Sequence, residues 1–365
     1  MLNRREFFVT AAATAAVALS PGLVRAASFD PRPGPWRSFR ITTRLDLPAA
    51  GTPTQAWIPL PSLEASDWMR PGGDEWTGNA ASVEVVTDPR YGARMLHATF
   101  APGTAAPAIE VVSSFSTRDR AAELSAAAGS PPGLAAAERA LYLAPTELMP
   151  TDGIVKETAD RITAGAGSDR EKAEAIYHWV VENTFRDAAT RGCGIGDVSR
   201  MLETGFLGGK CADLNALYVA LARAAGVPAR DVYGIRVAPS QFGYKSLGSN
   251  SQTITKAQHC RAEVFLEGHG WVAVDPADVR KVALEEPPGE NPIDSPVVIA
   301  VREKLFGAWE GNWLAYNTAH DVVLPGSTHK VGFLMYPQAE VAGMLLDCLD
   351  PDSFRYTITA EELSA

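Results

Sequence analysis

Three short segments carry side chains able to do nucleophilic chemistry. The first is Gly208-Gly209-Lys210-Cys211-Ala212-Asp213, placed where a helix is expected to begin. A helix N-terminus carries roughly half a positive charge and spare N–H donors, and both favour the thiolate, the reactive form of cysteine. The glycines before it allow a substrate backbone to approach closely. The same position also suits a structural cysteine, because Cys211 lies in line with Leu214 and Tyr218 and can simply head an apolar stripe. A thiol nucleophile needs a base, and the base needs an orienting partner. Gln258-His259-Cys260-Arg261-Ala262-Glu263-Val264-Phe265 reads as a strand with His259 at its start, and Trp271-Val272-Ala273-Val274-Asp275-Pro276 as the next strand with Asp275 at its end.

Position then depends on the elements. Strand parity sends His259, Arg261 and Glu263 to one face and Cys260, Ala262, Val264 and Leu266 toward a core. An antiparallel return brings Asp275 back beside His259, but only if the connection has an odd length, because a one-residue slip reverses every side chain. A five-residue connection, 265–269 or 266–270, or an equivalent bulge is expected, with Gly268 and Gly270 supplying positive φ. Upstream, Ser168-Asp169-Arg170-Glu171 is a capping box opening a helix with Ala173, Ile176, Tyr177 and Val180 at helical spacing. The helix from Cys211 to Ala225 carries Leu214, Leu217, Tyr218 and Leu221, with Gly226 and Pro228 to stop it. Alternation over Phe39–Leu47, a turn at Asp88-Pro89-Arg90-Tyr91-Gly92 and strand-like runs at 82–87, 93–100 and 109–115 read as a β-sandwich. Further strands are expected at 230–237, 331–336 and 353–359, and a helix near 300–308.

Gly-x-Cys-x-Asp at a helix start, followed by Leu221-Ala222-Arg223-Ala224-Ala225-Gly226-Val227-Pro228-Ala229-Arg230, resembles the transglutaminase-like core of the papain-type superfamily. His259 through Phe265 resembles that family's H-x-W-x-E-V-Y strand, and Gly270 through Pro276 its G-W-x-x-x-D-P strand. The resemblance spans about residues 165–280, with three motifs in the right order. It implies Cys211 as nucleophile, His259 as base and Asp275 as orienter. Arg261 stands where the family usually has an aromatic residue. The implied reaction is acyl transfer at an amide through a thioester, resolved by water or an amine. The Cys211 backbone N–H is one candidate oxyanion donor, and Lys210 or a residue of 204–209 a second. Asp213 is expected to support the nucleophile helix, and Glu263 to shape the cleft or pair with Arg261. Hydrolysis of peptide or isopeptide bonds is preferred; the alternatives are protein cross-linking, or a binding or scaffold protein that keeps the fold without turnover.

The chain has 365 residues, is 46% hydrophobic and 21% charged, and carries a net −10, values of an ordinary globular protein. That balance offers no footprint for nucleic acid or anionic lipid. Four cysteines make no disulfide scaffold. No C-x-x-C and no histidine pair at i,i+4 occurs, so neither metal nor cofactor is expected. Cys260 reads as packing, Cys193 as a loop thiol or redox partner, His269 as a solvated turn residue, and His178 and the run Phe306, Trp309, Trp313, Tyr316 as packed residues. Arg4-Arg5 before an uncharged run from Phe7 to Leu19 resembles a twin-arginine export signal. The expectation is an exported, periplasmic α+β protein without membrane insertion, acting on a protein or peptide. Its parts are a signal at 1–26, a β-sandwich at 27–120, a linker at 121–153, a transglutaminase-like catalytic domain at 154–297 and a β-rich extension at 298–365.

Overall fold

The computed structural model describes residues 28–48, 51–125 and 133–364; the expected export signal lies outside them. Alternating residue types give the strand Arg37–Asp46, which buries Phe39, Ile41, Thr43 and Leu45 and exposes Arg40, Arg44 and Asp46. It lies between Arg355–Leu363 and Ala108–Thr117, and Met69–Gly78 completes this four-stranded antiparallel sheet. A second sheet runs Met344–Leu345, Gln338–Val341, Thr54–Pro59, Arg94–Phe100, Ser82–Thr87. Leu45, Ile109 and Val111 of the first meet Ala56, Ile58, Leu96 and Ala98 of the second in one core, as in a sandwich. Both sheets thus combine strands from the two ends of the chain. The sequence between them folds as an insertion, and this places the C-terminal segment against the site described below.

That insertion is built on the helix Cys211–Ala224. It ends as expected, with Gly226 at φ +83°. The sequence shows one apolar stripe on it, but every residue of the helix is buried, Asp213, Asn215 and Arg223 included. The reason is its surroundings: the helices Gly153–Ile162, Asp169–Asn183, Val198–Thr204 and Pro276–Glu285 pack around it, and a sheet covers the remaining side. The Ser168 capping box forms with both hydrogen bonds in place. The expected linker contains the helix Ala136–Leu143, and the helix expected near 300–308 is Pro296–Arg302.

The sheet beneath the central helix has the order Gly270–Val274, Gln258–Leu266, Ala229–Arg236, Trp313–Asn317, all antiparallel. Strand Gln258–Leu266 is buried on both faces. Ala262, Val264 and Leu266 join the helical core, while Trp309, Trp313 and Ala273 build a second core on the other side. The hairpin pairs Ala262 with Val274 and Leu266 with Gly270, so the connection is Glu267-Gly268-His269. It is odd in length, as the register argument requires. It has three residues rather than five because the ladder continues one pair further. Gly268 and Gly270 take φ of +81° and +75°. Among the described residues no helix is long and apolar enough to cross a membrane.

Candidate active site

His259 stands at the open end of this sheet, opposite Gly234. A side chain at Gly234 would strike the Trp313 indole and the Leu314 carbonyl; in its absence Trp313 lies flat there and donates from Nε1 to the His259 carbonyl at 3.0 Å. Across the hairpin, Asp275 Oδ2 meets His259 Nε2 at 2.7 Å. Asp275 also caps the following helix, because Pro276 fixes its first turn: Oδ1 accepts the Asp278 N–H at 3.0 Å. The Asn215 amide adds a bond to Asp275 at 3.3 Å and another to the Cys260 carbonyl at 2.8 Å. The same helix turn brings Asp278 to 3.4 Å from His259 Nε2, with Arg236 at 2.5 Å on its other oxygen.

These charges set the titration of the group. Burial and Arg236 push the His259 ring down, but Asp278 and Asp275 outweigh them and raise it to about 9. Burial and the neighbouring Asp278 push Asp275 up. Asp278 resists the same burial, because Arg236 and His259 hold it well below the usual carboxylate range. Asp275 thus holds the ring through its short hydrogen bond, and the charges of Asp278 and Asp275 together keep the ring protonated.

Cys211 is 4% exposed and belongs to a cluster with Cys193, Cys260, Met335 and Tyr336. All four cysteines of the chain are free thiols. The neighbouring Cys193 thiol, then Cys260, hold the Cys211 thiol well below its ordinary value against the cost of burial, and His259 adds to the same effect. The Cys193 and Cys260 thiols are pushed up in return, Cys193 chiefly by its bond to Cys211 and Cys260 chiefly by burial. With Nε2 engaged by the carboxylates, Nδ1 is the ring nitrogen left for the thiol. Thiolate and imidazolium are the forms this arrangement favours at neutral pH.

Asp213 accepts from the backbone N–H groups of Lys210 at 3.0 Å, Ile195 at 3.0 Å and Gly196 at 2.9 Å. It therefore ties the loop carrying Cys193 to the start of the helix Cys211–Ala224. A Cβ at Gly194, where φ is +89°, would overlap this carboxylate. The Lys210 N–H is taken by Asp213, and the residue lines the cleft described below. Arg261 lies 3.7 Å from Asp275, donates to the Glu310 carbonyl at 2.9 Å and packs over the Trp313 and Trp309 rings. Burial and Arg236 lower it to about 10. Glu263 pairs with Arg230 at 2.6 Å and with Arg120, not with Arg261, and does not line the cleft. Trp309 and Trp313 are core residues, each 1% exposed. Asp278, Arg236 and Asn215 were not singled out from the sequence. The one local signal for Asp278 was its i+3 position after an Asp-Pro pair, the pattern of an acid in a first helical turn.

His259, Asp275 and Asp278 bring ligand atoms within 4.8 Å of one another, close enough to share a metal ion. Their lone pairs are already engaged by Arg236, Asn215 and the helix cap, and a guanidinium beside Asp278 opposes a second cation.

A cleft of about 640 Å³ opens over Cys211 and His259. Six cationic side chains line it, namely Arg186, Arg191, Lys210, Arg236, Lys256 and Lys281, and no Asp or Glu does. Leu349, Phe354 and Tyr356 of the C-terminal segment form an apolar wall.

Comparison with known proteins agrees with this architecture. The sequence profile of the transglutaminase-like superfamily matches residues 156–276, the stretch that contains Cys211, His259 and Asp275. An uncharacterised Haemophilus influenzae protein is 38% identical over 324 residues, covering 85% of this chain and 86% of its own. A proposed cysteine protease from Cytophaga hutchinsonii shares the fold with a TM-score of 0.51 at 14% identity, over 90% of this chain and 99% of that one. The periplasmic domain of Pseudomonas aeruginosa TgpA aligns more loosely, with a TM-score of 0.35 at 15% identity over 68% of this chain and 88% of that one. The chain belongs to the transglutaminase-like superfamily, whose members are in general cysteine-dependent enzymes.

Proposed function

We propose that the protein is a cysteine-dependent hydrolase of peptide or isopeptide bonds, with Cys211 as nucleophile, His259 as acid and base, and Asp275 as orienter. The observation that carries this reading is the 2.7 Å His259–Asp275 contact beside a thiol at a helix N-terminus, within a cleft large enough for a peptide. The Cys211 thiolate attacks the amide carbonyl and forms the C–S bond. The tetrahedral oxyanion collapses, the C–N bond breaks, and the imidazolium gives its proton to the leaving amine. Neutral His259 then takes a proton from water, whose oxygen adds to the thioester; the acid leaves and the thiolate–imidazolium pair returns. Two donors are available to the oxyanion. One is the Cys211 backbone N–H, which has no acceptor among the described residues. The other is Gln258 Nε2, a buried cleft-lining donor without a partner. The cationic lining supports hydrolysis over cross-linking, since it repels a protonated lysine acceptor.

p-Nitrophenyl acetate, a generic acyl donor, tests the reading. A burst of nitrophenolate and a transient acetyl adduct on Cys211 are expected. The adduct should decay in water at a rate that lysine methyl ester leaves unchanged. A burst that survives Cys211→Ala overturns the nucleophile, and faster decay with the amine overturns the preference for water. Export through Arg4 and Arg5 is part of the proposal; a double Lys replacement that leaves periplasmic yield unchanged would remove it.

A further inference from the structure

The chain is acidic overall, at net −10, yet the cleft over Cys211 contains no carboxylate. Its six cations come from five separate stretches of chain: Arg186 and Arg191, Lys210, Arg236, Lys256 and Lys281. Among the described residues they form ion pairs with only three carboxylates. Arg191 meets Asp347 at 2.6 Å, Arg236 meets Asp278 at 2.5 Å, and Arg186 and Lys281 divide Glu285 between them. Lys281 is lowered to about 8 by burial and by Arg236, so it stays mostly charged at neutral pH. Lys210, half-buried, and Lys256, exposed, have no acidic partner among the described residues. Charges of one sign gathered in a concave, low-dielectric site on a protein of opposite net charge are a cost to folding. They repel one another and are only half compensated. Solubility does not explain them, because a surface can be solubilised by either sign. A ligand of opposite charge does.

We infer that the substrate is an acidic peptide segment, and that the cleft selects it through Lys210 and Lys256. Lys210 immediately precedes Cys211 and Lys256 lies three residues before His259, and both line the cleft over these two residues. This inference rests on the assignment of Cys211 as nucleophile, and its test separates the two.

The test uses two tetrapeptide chloromethyl ketones of equal length, one carrying Glu at its variable positions and one carrying Lys, with iodoacetamide as a neutral third reagent. Intact mass and peptide mapping follow modification of Cys211 in the full-length protein. The Glu reagent should modify Cys211 at least about tenfold faster than the Lys reagent at low salt, and the ratio should shrink as ionic strength rises. In a Lys210→Gln, Lys256→Gln double variant the ratio should fall by about tenfold. Because both rates are measured on the same protein, any change in thiol reactivity cancels. Equal Glu and Lys rates on a Cys211 that reacts readily with iodoacetamide would overturn the acidic-substrate inference and leave the nucleophile intact. A Cys211 inert to all three reagents would overturn the nucleophile assignment itself. A strong Glu preference that survives the double variant would move the selectivity away from these two lysines and overturn their role.

Discussion

His259 and Glu263 lie on one strand, share one face and are 3% and 0% exposed, yet they do opposite things. At the His259 end the partners are carboxylates. They take Nε2, keep the ring charged up to about 9 and leave Nδ1 toward a thiol and an open cleft. At the Glu263 end the partners are the guanidinium groups of Arg120 and Arg230, one on each carboxylate oxygen. Arg230 stacks on Trp271 at 4.0 Å, and Arg120 packs over Trp68 and Trp309. None of Glu263, Arg120 and Arg230 lines the cleft over Cys211. A buried charge becomes reactive when its partners leave one atom free beside an accessible volume. When every atom is closed, the same burial gives architecture alone.

The largest effect that sharpens this contrast is on reactivity. His259→Ala should slow alkylation of Cys211 near pH 7 by about 10²- to 10³-fold, since the thiolate loses its charge partner and proton acceptor. Glu263→Ala should leave that reactivity in the folded protein and instead cost about 3–5 kcal/mol of stability, because it strands two buried guanidiniums. Chemical denaturation measures it. Reactivity lost with Glu263, or stability lost mainly with His259, would erase the distinction between the two ends.

A pH series resolves the His259 end further. Its folded pKa lies above the ordinary 6.5, so its contribution to stability is complete below about 6.5 and is lost as pH rises through about 9. The raised value corresponds to about 3 kcal/mol over that window. Unfolding midpoints of the wild type should therefore fall between about pH 6.5 and 9 relative to those of His259→Ala. The smallest expected effect belongs to Cys193→Ala. It removes the neighbour that does most to hold the Cys211 thiol low and should raise the Cys211 titration midpoint, read from alkylation rates.

Much of this site was legible because its signals are local. Glycines before Cys211, the strand parity of His259 and the Asp-Pro boundary at 275–276 each mark an element end. The odd-length connection followed from requiring Asp275 on the His259 face. What was not legible depends on partners distant in sequence. Asn215 looks like a polar interruption in an apolar helix until the sheet places the Cys260 carbonyl and Asp275 above it. Arg236 acquires its role only when its strand end reaches the helix that carries Asp278. The pairing of Arg37–Asp46 with Arg355–Leu363 joins opposite ends of the chain, and no periodicity announces such a ladder. Glu263 shows the converse: parity put it on the His259 face correctly, but parity cannot say that Arg120 and Arg230 close over it.

The most direct test of the central claim is the pH dependence of iodoacetamide alkylation at Cys211, resolved from the other three cysteines by peptide mapping. The account predicts that Cys211 labels first, with a midpoint well below the ordinary thiol value of about 8.5, and that His259→Ala moves the midpoint up. Cys260 labelling first, or a Cys211 midpoint near 8.5 that ignores the loss of His259, would contradict it.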